Sequence, residues 1–358
     1  METVRVNLAE RSYDIRIGAG NLAEAGRFLT ERAKVTHVVL ITDDHVQKLH
    51  AIRVAENLGE QDIEVDAVVV TPGEESKSLD VAAGLWEGLL ELGADRKTVV
   101  AAVGGGVVGD LAGFIAATYA RGLRFFQVPT SLLAQVDSSV GGKVGINLPE
   151  AKNMVGAFLQ PLGVLIDTAT LTTLPANEYR AGLAEVVKYG VILDAEFFQY
   201  LEDNTAALNE RQQDVLSRVI ARCCRLKADV VERDEREETG LRAALNFGHT
   251  FGHALETLAG YGTLLHGEAV AIGMVCAARL AERLGRVDDQ FTGRLHRLLQ
   301  SLELPVDVPD FDGKKIVDAM THDKKVQHGQ LRLVLPTRLG HVELVGDVAA
   351  ADIRAALK

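Results

Sequence analysis

TVVAAVGGGVVGD, residues 98–110, decides the fold. Its unbroken apolar run, 99–103, suits a strand covered on both faces, and the glycine turn after it opens a helical pattern. The same alternation recurs on the N-terminal side: THVVLIT at 36–42, a helix near 44–58, IEVDAVVV at 63–70 and a helix near 78–92. Strands that alternate with helices predict an α/β fold with a parallel sheet. Farther out, METVRVNLAERSYDIRIGAG at 1–20 alternates apolar and polar residues like a strand. It lacks the continuous apolar core of a signal peptide or membrane span.

On the C-terminal side, LIDTATLTTLP ends at Pro175 and long helical patterns take over. In QDVLSRVIARCCRLKADVVERD at 213–234, Val215, Val219, Cys223, Leu226 and Val230 recur at helical spacing and leave a charged opposite face. QLRLVLPTRLGHVELV at 330–345 predicts a small hairpin. The expected organisation is an α/β domain over 1–175 and a mainly helical domain over 176–358. The 358 residues, 47% hydrophobic and 25% charged, suffice for two such cores. A net charge of -12 disfavours nucleic acid, whose phosphates need basic surfaces, but leaves room for a local cationic pocket that takes a small anion. Three cysteines without CxxC spacing, Cys223, Cys224 and Cys276, fit buried thiols in a reducing compartment. A cytoplasmic protein with no nucleic-acid or membrane partner is expected.

Gly104, Gly106 and Gly109 match GxGxxG between the apolar run and the helical pattern. In that context backbone N–H groups and a helix N-terminus receive a pyrophosphate. The acidic residue that normally follows about twenty positions on is missing, since 111–136 holds no Asp or Glu. Ribose contacts then fall to residues elsewhere, with Asp43 and Glu74 as candidates, and a purely structural turn is an equal reading of the glycines. SSVGGK fails the phosphate-loop pattern, because Asp137 replaces its first glycine and Val144 follows Lys143.

A second signal lies in the other half of the chain. His249, His253 and His266 fall within eighteen residues of the glycine-broken stretch NFGHTFGHALETLAGYGTLLHGEAVAIGM. His249 and His253, four apart, share one face of a helix. Both can hold one ion, or one ligates while the other serves a polar network. Glu185, in the apolar setting AGLAEVVKYG, is a third donor that would complete a three-ligand zinc site with an open position; an ion pair with Lys188 is its alternative. Lys143 and Lys152 lie in GGKVGINLPEAKN, which reads as a loop, and Lys188, Lys227, Arg242, Lys324 and Lys325 add further cations. Singly these are solvated surface. With a metal they become ligands for a phosphorylated, carboxylated substrate, because charge-assisted hydrogen bonds are roughly twice as strong as neutral ones.

GGGVVGDLAGFIAATYARGLRFFQVPTSLLAQVDSSVGGKVGIN, then AKNMVGAF, LAEVVKYG, LNFGHTFGHALE and HGEAVAIGM, resembles the 3-dehydroquinate synthase family of the shikimate pathway, within the sugar phosphate cyclases. The likeness runs from about Asp43 to the DKK at 323–325. It implies a nucleotide-binding α/β domain followed by a helical, metal-binding one, and a cytoplasmic homodimer that uses NAD and zinc, or cobalt in its place. By resemblance, Glu185, His249 and His266 bind the metal, and His253 faces the substrate as a hydrogen-bonding or proton-transfer group. Asp43, Glu74, Lys77, Gly105, Gly106 and Asp110 would surround NAD, with Thr130, Ser131, Thr170 and Thr173. Arg121, Asp137, Lys143, Lys152, Asn153 and Lys188 would form the substrate pocket with Lys227, Arg242, Asn246 and the Lys324/Lys325 pair, and Asp137, Lys143 and Lys152 would also reach the cofactor. His45 departs from the asparagine expected there.

The implied substrate is 3-deoxy-D-arabino-heptulosonate 7-phosphate. Its C5 alcohol is oxidised by NAD, phosphate leaves by β-elimination, the ketone is reduced back, and an intramolecular aldol step closes the carbocycle. The metal would lower the alcohol's pKa, as zinc lowers that of bound water from 15.7 to about 7. His253, through Asn246 or water, would relay the C5 hydroxyl proton. Three other readings share parts of this equipment: a cyclase for another sugar phosphate, a metal-dependent alcohol dehydrogenase of the glycerol dehydrogenase type, and a degenerate nucleotide-binding scaffold.

Overall fold

The structure, a computed structural model, describes residues 1–260, 263–322 and 331–358. Its strands are β1 (Glu2–Val6), β2 (Tyr13–Gly18), β3 (His37–Asp43), β4 (Glu64–Val70), β5 (Val99–Gly104), β6 (Arg124–Pro129), β7 (Lys143–Leu148), β8 (Ala151–Phe158), β9 (Gly163–Asp167), β10 (Leu333–Arg338) and β11 (His341–Val345). Seven of them form one sheet in the order β1-β2-β9-β6-β5-β3-β4. Every pairing in it is parallel except β1 with β2, so the N-terminal alternation becomes an antiparallel edge on a parallel sheet.

The apolar runs explain why the central strands are buried on both faces. Val39, Ile41, Val100, Ala102 and Phe125 pack into one core with Leu111, Ala112 and Ile115 of the helix Gly106–Thr118. Their neighbours Val38, Leu40, Val99, Ala101, Val103 and Phe126 pack into the other, with Phe28, Val54 and Leu58. Side chains alternate across a strand, so two such layers need a continuous apolar run rather than an alternating one.

β7 and β8 form a separate antiparallel hairpin where the sequence reads as a loop. Gly145 and Gly156 face each other across it, and a Cβ at Gly156 would stand 2.3 Å from the Val144 carbonyl oxygen. Gly145, inside the segment that reads as a loop, and Gly156 are therefore close-approach positions inside a ladder. The expected late hairpin is present as β10 and β11.

The described residues divide into two compact units, Met1–Leu174 with Leu216–Arg236, and Pro175–Val215 with Glu237–Lys358. The first break falls between Leu174 and Pro175, and most of the helix Gln213–Arg233 clusters with the first unit. Its apolar stripe declares that it packs, not against which core. No described helix is long and apolar enough to cross a membrane. Cys223, Cys224 and Cys276 are buried, and burial pushes the Cys224 and Cys276 thiols up to about 12, so both stay uncharged.

Candidate active site

Three helices of the second unit carry the metal-ligand candidates: Ala176–Leu193 with Glu185, His249–Ala259 with His249 and His253, and His266–Arg283 with His266. A glycine stands beside each histidine, and these glycines set how closely the helices approach. Gly248 starts the second helix at a φ of 80°, and a Cβ on it would lie 2.6 Å from Met274 Cγ. A Cβ on Gly267 would lie 1.9 Å from the Ala181 carbonyl oxygen. Gly267→Ala is therefore expected to force the Glu185 and His266 helices apart and cost about 1–3 kcal/mol of stability, as overpacking does. Urea unfolding checks this, and an unchanged midpoint would show that the contact is not limiting.

Glu185 is 1% exposed. Neither carboxylate oxygen accepts a hydrogen bond of regular geometry, and the Lys188 ammonium lies against Oε2 as an ion pair. The sequence alternative of a Lys188 pair is thus real, but it leaves the buried carboxylate short of partners. His249 Nε2 stands 3.5 Å from Glu185 Oε1 and His266 Nε2 stands 3.9 Å from the same oxygen. Two ligands about 2.1 Å from one tetrahedral ion sit about 3.4 Å apart, so the spacing fits a shared cation. His249 Nδ1 lies 3.1 Å from the Phe247 carbonyl oxygen, to which it donates when protonated there, leaving the Nε2 lone pair for Glu185's side of the ring. His266 Nδ1 lies 3.5 Å from Glu256 Oε2. Burial pushes the His266 imidazolium down, but Glu256, aided by Glu185, outweighs that and holds it above its ordinary value, as expected where the local field favours a cation.

One carboxylate and two imidazoles suit zinc or cobalt and leave an open coordination position. Glu256 is a residue that sequence reasoning passes over. Its signal is spacing: it follows His249 by seven residues and His253 by three, on the same helix. His253 has its ring centroid 5.6 Å from that of His249 and 6.0 Å from that of His266. Arg242, 3% exposed, has Nε 3.7 Å from Glu237 Oε1, and Asn246 ends the same short helix, Leu241–Asn246. Lys324 and Lys325 lie outside the described residues.

In the first unit, Gly105 caps the helix Gly106–Thr118, whose first turn carries no acidic residue. Cβ atoms at Gly105 and Gly106 would reach 3.4 Å and 3.2 Å from the Ser131 and Ser138 hydroxyls, so glycine keeps this helix N-terminus bare, as an anion cradle requires. Thr130 N–H donates to the Gly104 carbonyl oxygen at 2.9 Å. Thr170 Oγ1 accepts from Gln135 Nε2 at 3.1 Å, and Thr173 Oγ1 is 2.8 Å from His50 Nε2. Asp43 Oδ1 accepts from Val46 N–H at 2.9 Å and so caps the next helix, while His45 is exposed.

Lys77, 3% exposed, donates to Asp110 Oδ2 at 2.8 Å and to Asn153 Oδ1. Glu74 accepts from Asn147 Nδ2 at 2.8 Å. Lys227 Nζ meets Asp137 twice, at 3.0 Å on Oδ1 and 2.7 Å on the carbonyl oxygen. Lys143 is exposed at the start of β7 and Lys152 is half-buried in β8. Arg121 is not brought to this end: it follows Thr118 in a left-handed turn, φ 70°, beyond a helix whose thirteen residues rise about 20 Å from the glycine cradle.

The family model for the 3-dehydroquinate synthase N-terminal region matches residues 67–181, and that for the C-terminal region matches 182–326. The chain is 51% identical to a 3-dehydroquinate synthase of Desulforamulus reducens, over 100% of this chain and 99% of that one. It is 50% identical to one of Rhodopirellula baltica, over 100% and 97%. Among solved structures, 2-deoxy-scyllo-inosose synthase in complex with carbaglucose-6-phosphate, NAD+ and Co2+ superposes with a TM-score of 0.91 at 30% identity, covering 99% of each chain. With both family models matched in order and half of all residues shared along its whole length, the chain belongs to the 3-dehydroquinate synthase family.

Proposed function

We infer that this chain converts 3-deoxy-D-arabino-heptulosonate 7-phosphate to 3-dehydroquinate and phosphate, a carbon–oxygen lyase reaction with no net redox change. The observation that carries the reading is the Glu185–His249–His266 cluster, whose buried carboxylate lacks regular hydrogen bonds, in a chain half-identical throughout to named 3-dehydroquinate synthases. A bound zinc or cobalt ion would polarise the substrate's hydroxyls. NAD, when bound, would take hydride from C5 and return it in the same turnover.

The chain's own residues do the rest. In the second unit, Glu185, His249 and His266 would hold the metal, His253 would move the C5 hydroxyl proton, aided by Asn246, and Arg242 would hold phosphate. Lys188, already committed to Glu185, would share its charge with substrate oxygens. In the first unit, Lys152 and Asn153 would bind phosphate and Lys143 and Lys227 the carboxylate. The bare helix N-terminus at Gly105 and Gly106 would take the pyrophosphate, with Asp43, Glu74, Lys77, Asp110, Thr130, Ser131, Thr170 and Thr173 around the rest of NAD. Much of the rate would come from positioning, which contributes about 7–11 kcal/mol in well-oriented systems. A cytoplasmic homodimer completes the proposal.

The test incubates zinc-loaded protein with this heptulosonate phosphate and catalytic NAD. Phosphate and 3-dehydroquinate are expected in equal amounts, over many turnovers per NAD and without net NADH. Net NADH without phosphate would make the chain a dehydrogenase, and turnover only with another sugar phosphate would make it a different cyclase.

A further inference from the structure

We propose that Asn147 is a positioning residue whose side-chain amide N–H holds Glu74 and whose side-chain oxygen holds the Lys152–Asn153 bulge, so that one side chain sets the geometry of cofactor contacts and of substrate contacts through two separable bonds. The inference rests on the function proposed above for those two groups.

The hairpin register points to the position. Ile146 pairs with Val155 and Leu148 with Ala151, so three residues, Lys152, Asn153 and Met154, bulge opposite the single residue Asn147. Bulges of this kind re-aim side chains next to active sites. Three polar groups of Asn147 are engaged near this bulge. Its N–H donates to the Lys77 carbonyl oxygen at 2.7 Å, its Nδ2 donates to Glu74 Oε1 at 2.8 Å, and its Oδ1 accepts from Asn153 N–H at 2.7 Å. Lys77 closes the ring by donating to Asn153 Oδ1, and it donates to Asp110 as well.

Asn153 itself is held at a φ of 53°, a left-handed conformation that costs free energy and persists only where neighbours enforce it. The enforcing contacts are those of Asn147 and Lys77. Asparagine is the side chain that offers a donor to Glu74 and an acceptor to Asn153 at the same reach. Aspartate would keep the acceptor but set a second carboxylate against Glu74, and alanine would lose both.

That asymmetry supplies the test. Asn147→Ala and Asn147→Asp are made in the full-length, zinc-loaded protein, and NAD dissociation constant, KM, kcat, zinc content and unfolding midpoint are measured for each. Asn147→Ala is expected to weaken NAD and to raise the KM for the sugar phosphate, each by about 3- to 10-fold, the effect of one or two lost hydrogen bonds, with zinc content and kcat little changed. Asn147→Asp is expected to weaken NAD comparably while holding KM near the wild-type value. Parallel loss of both affinities in the aspartate variant, or a fall in unfolding midpoint with neither affinity moved, would reduce Asn147 to a hairpin staple and overturn the proposal. If the wild-type protein releases no phosphate from this substrate, the functional reading fails on its own. The NAD constants still decide whether Asn147 holds the Glu74 side, and an unchanged value in both variants overturns that too.

Discussion

His266→Ala is expected to lose bound zinc and to abolish turnover while the protein stays folded. The substitution removes one of three candidate ligand atoms, Glu185 Oε1, His249 Nε2 and His266 Nε2, and leaves one imidazole and one carboxylate, too few to retain an ion that ordinarily takes three protein ligands in a catalytic site. The loss should exceed the 10- to 100-fold that removal of an outer hydrogen-bond partner of a metal ligand typically costs. The fold should survive because the His266 side chain is 36% exposed, so little packing is lost, and Gly267, which sets the helix contact, is untouched. Metal per chain after dialysis, circular dichroism and phosphate release check the three parts. A variant with stoichiometric zinc and full activity would remove His266 from the ligand set.

The parts of this molecule legible in its sequence are those that local chemistry dictates. Val99 to Val103 announce a strand covered on both faces because each residue must be apolar there, whichever way it points. His249, His253 and Glu185 announce themselves because imidazoles and a carboxylate in apolar company need a reason to be present. What could not be read is set by partners remote in sequence. Gly145 looks like a loop residue until the strand opposite supplies the carbonyl oxygen a Cβ would strike. The helix Gln213–Arg233 shows an apolar stripe, yet nothing in the stripe says that it joins the first unit. Asn147 carries no motif, and its contacts are to Glu74 and Asn153, far off in sequence or across the bulge, while Glu256 shows only its helical spacing from His249 and His253 and not its approach to His266.

His253→Ala should behave unlike His266→Ala: zinc is expected to stay and the rate to fall about 10²- to 10⁴-fold, the effect of a lost general acid or base. The structure offers two overlapping ligand groups, Glu185 with His249 and His266, and His253 with Glu256 and His266. His266 cannot serve both through one lone pair. With Nδ1 protonated toward Glu256 and Nε2 facing Glu185, its lone pair would serve the first group, where the carboxylate is almost wholly buried and short of hydrogen bonds. The second group would have to take Glu256 away from the imidazole it orients. His253, one helical turn from His249, would then exchange a proton with a hydroxyl held at the ion rather than ligate it. Metal content and kcat measured on the same preparation separate the two roles. Loss of zinc from His253→Ala would make His253 the ligand and overturn the assignment, whereas full zinc with a slowed rate, and a KM near that of the wild type, would place it at the proton-transfer step.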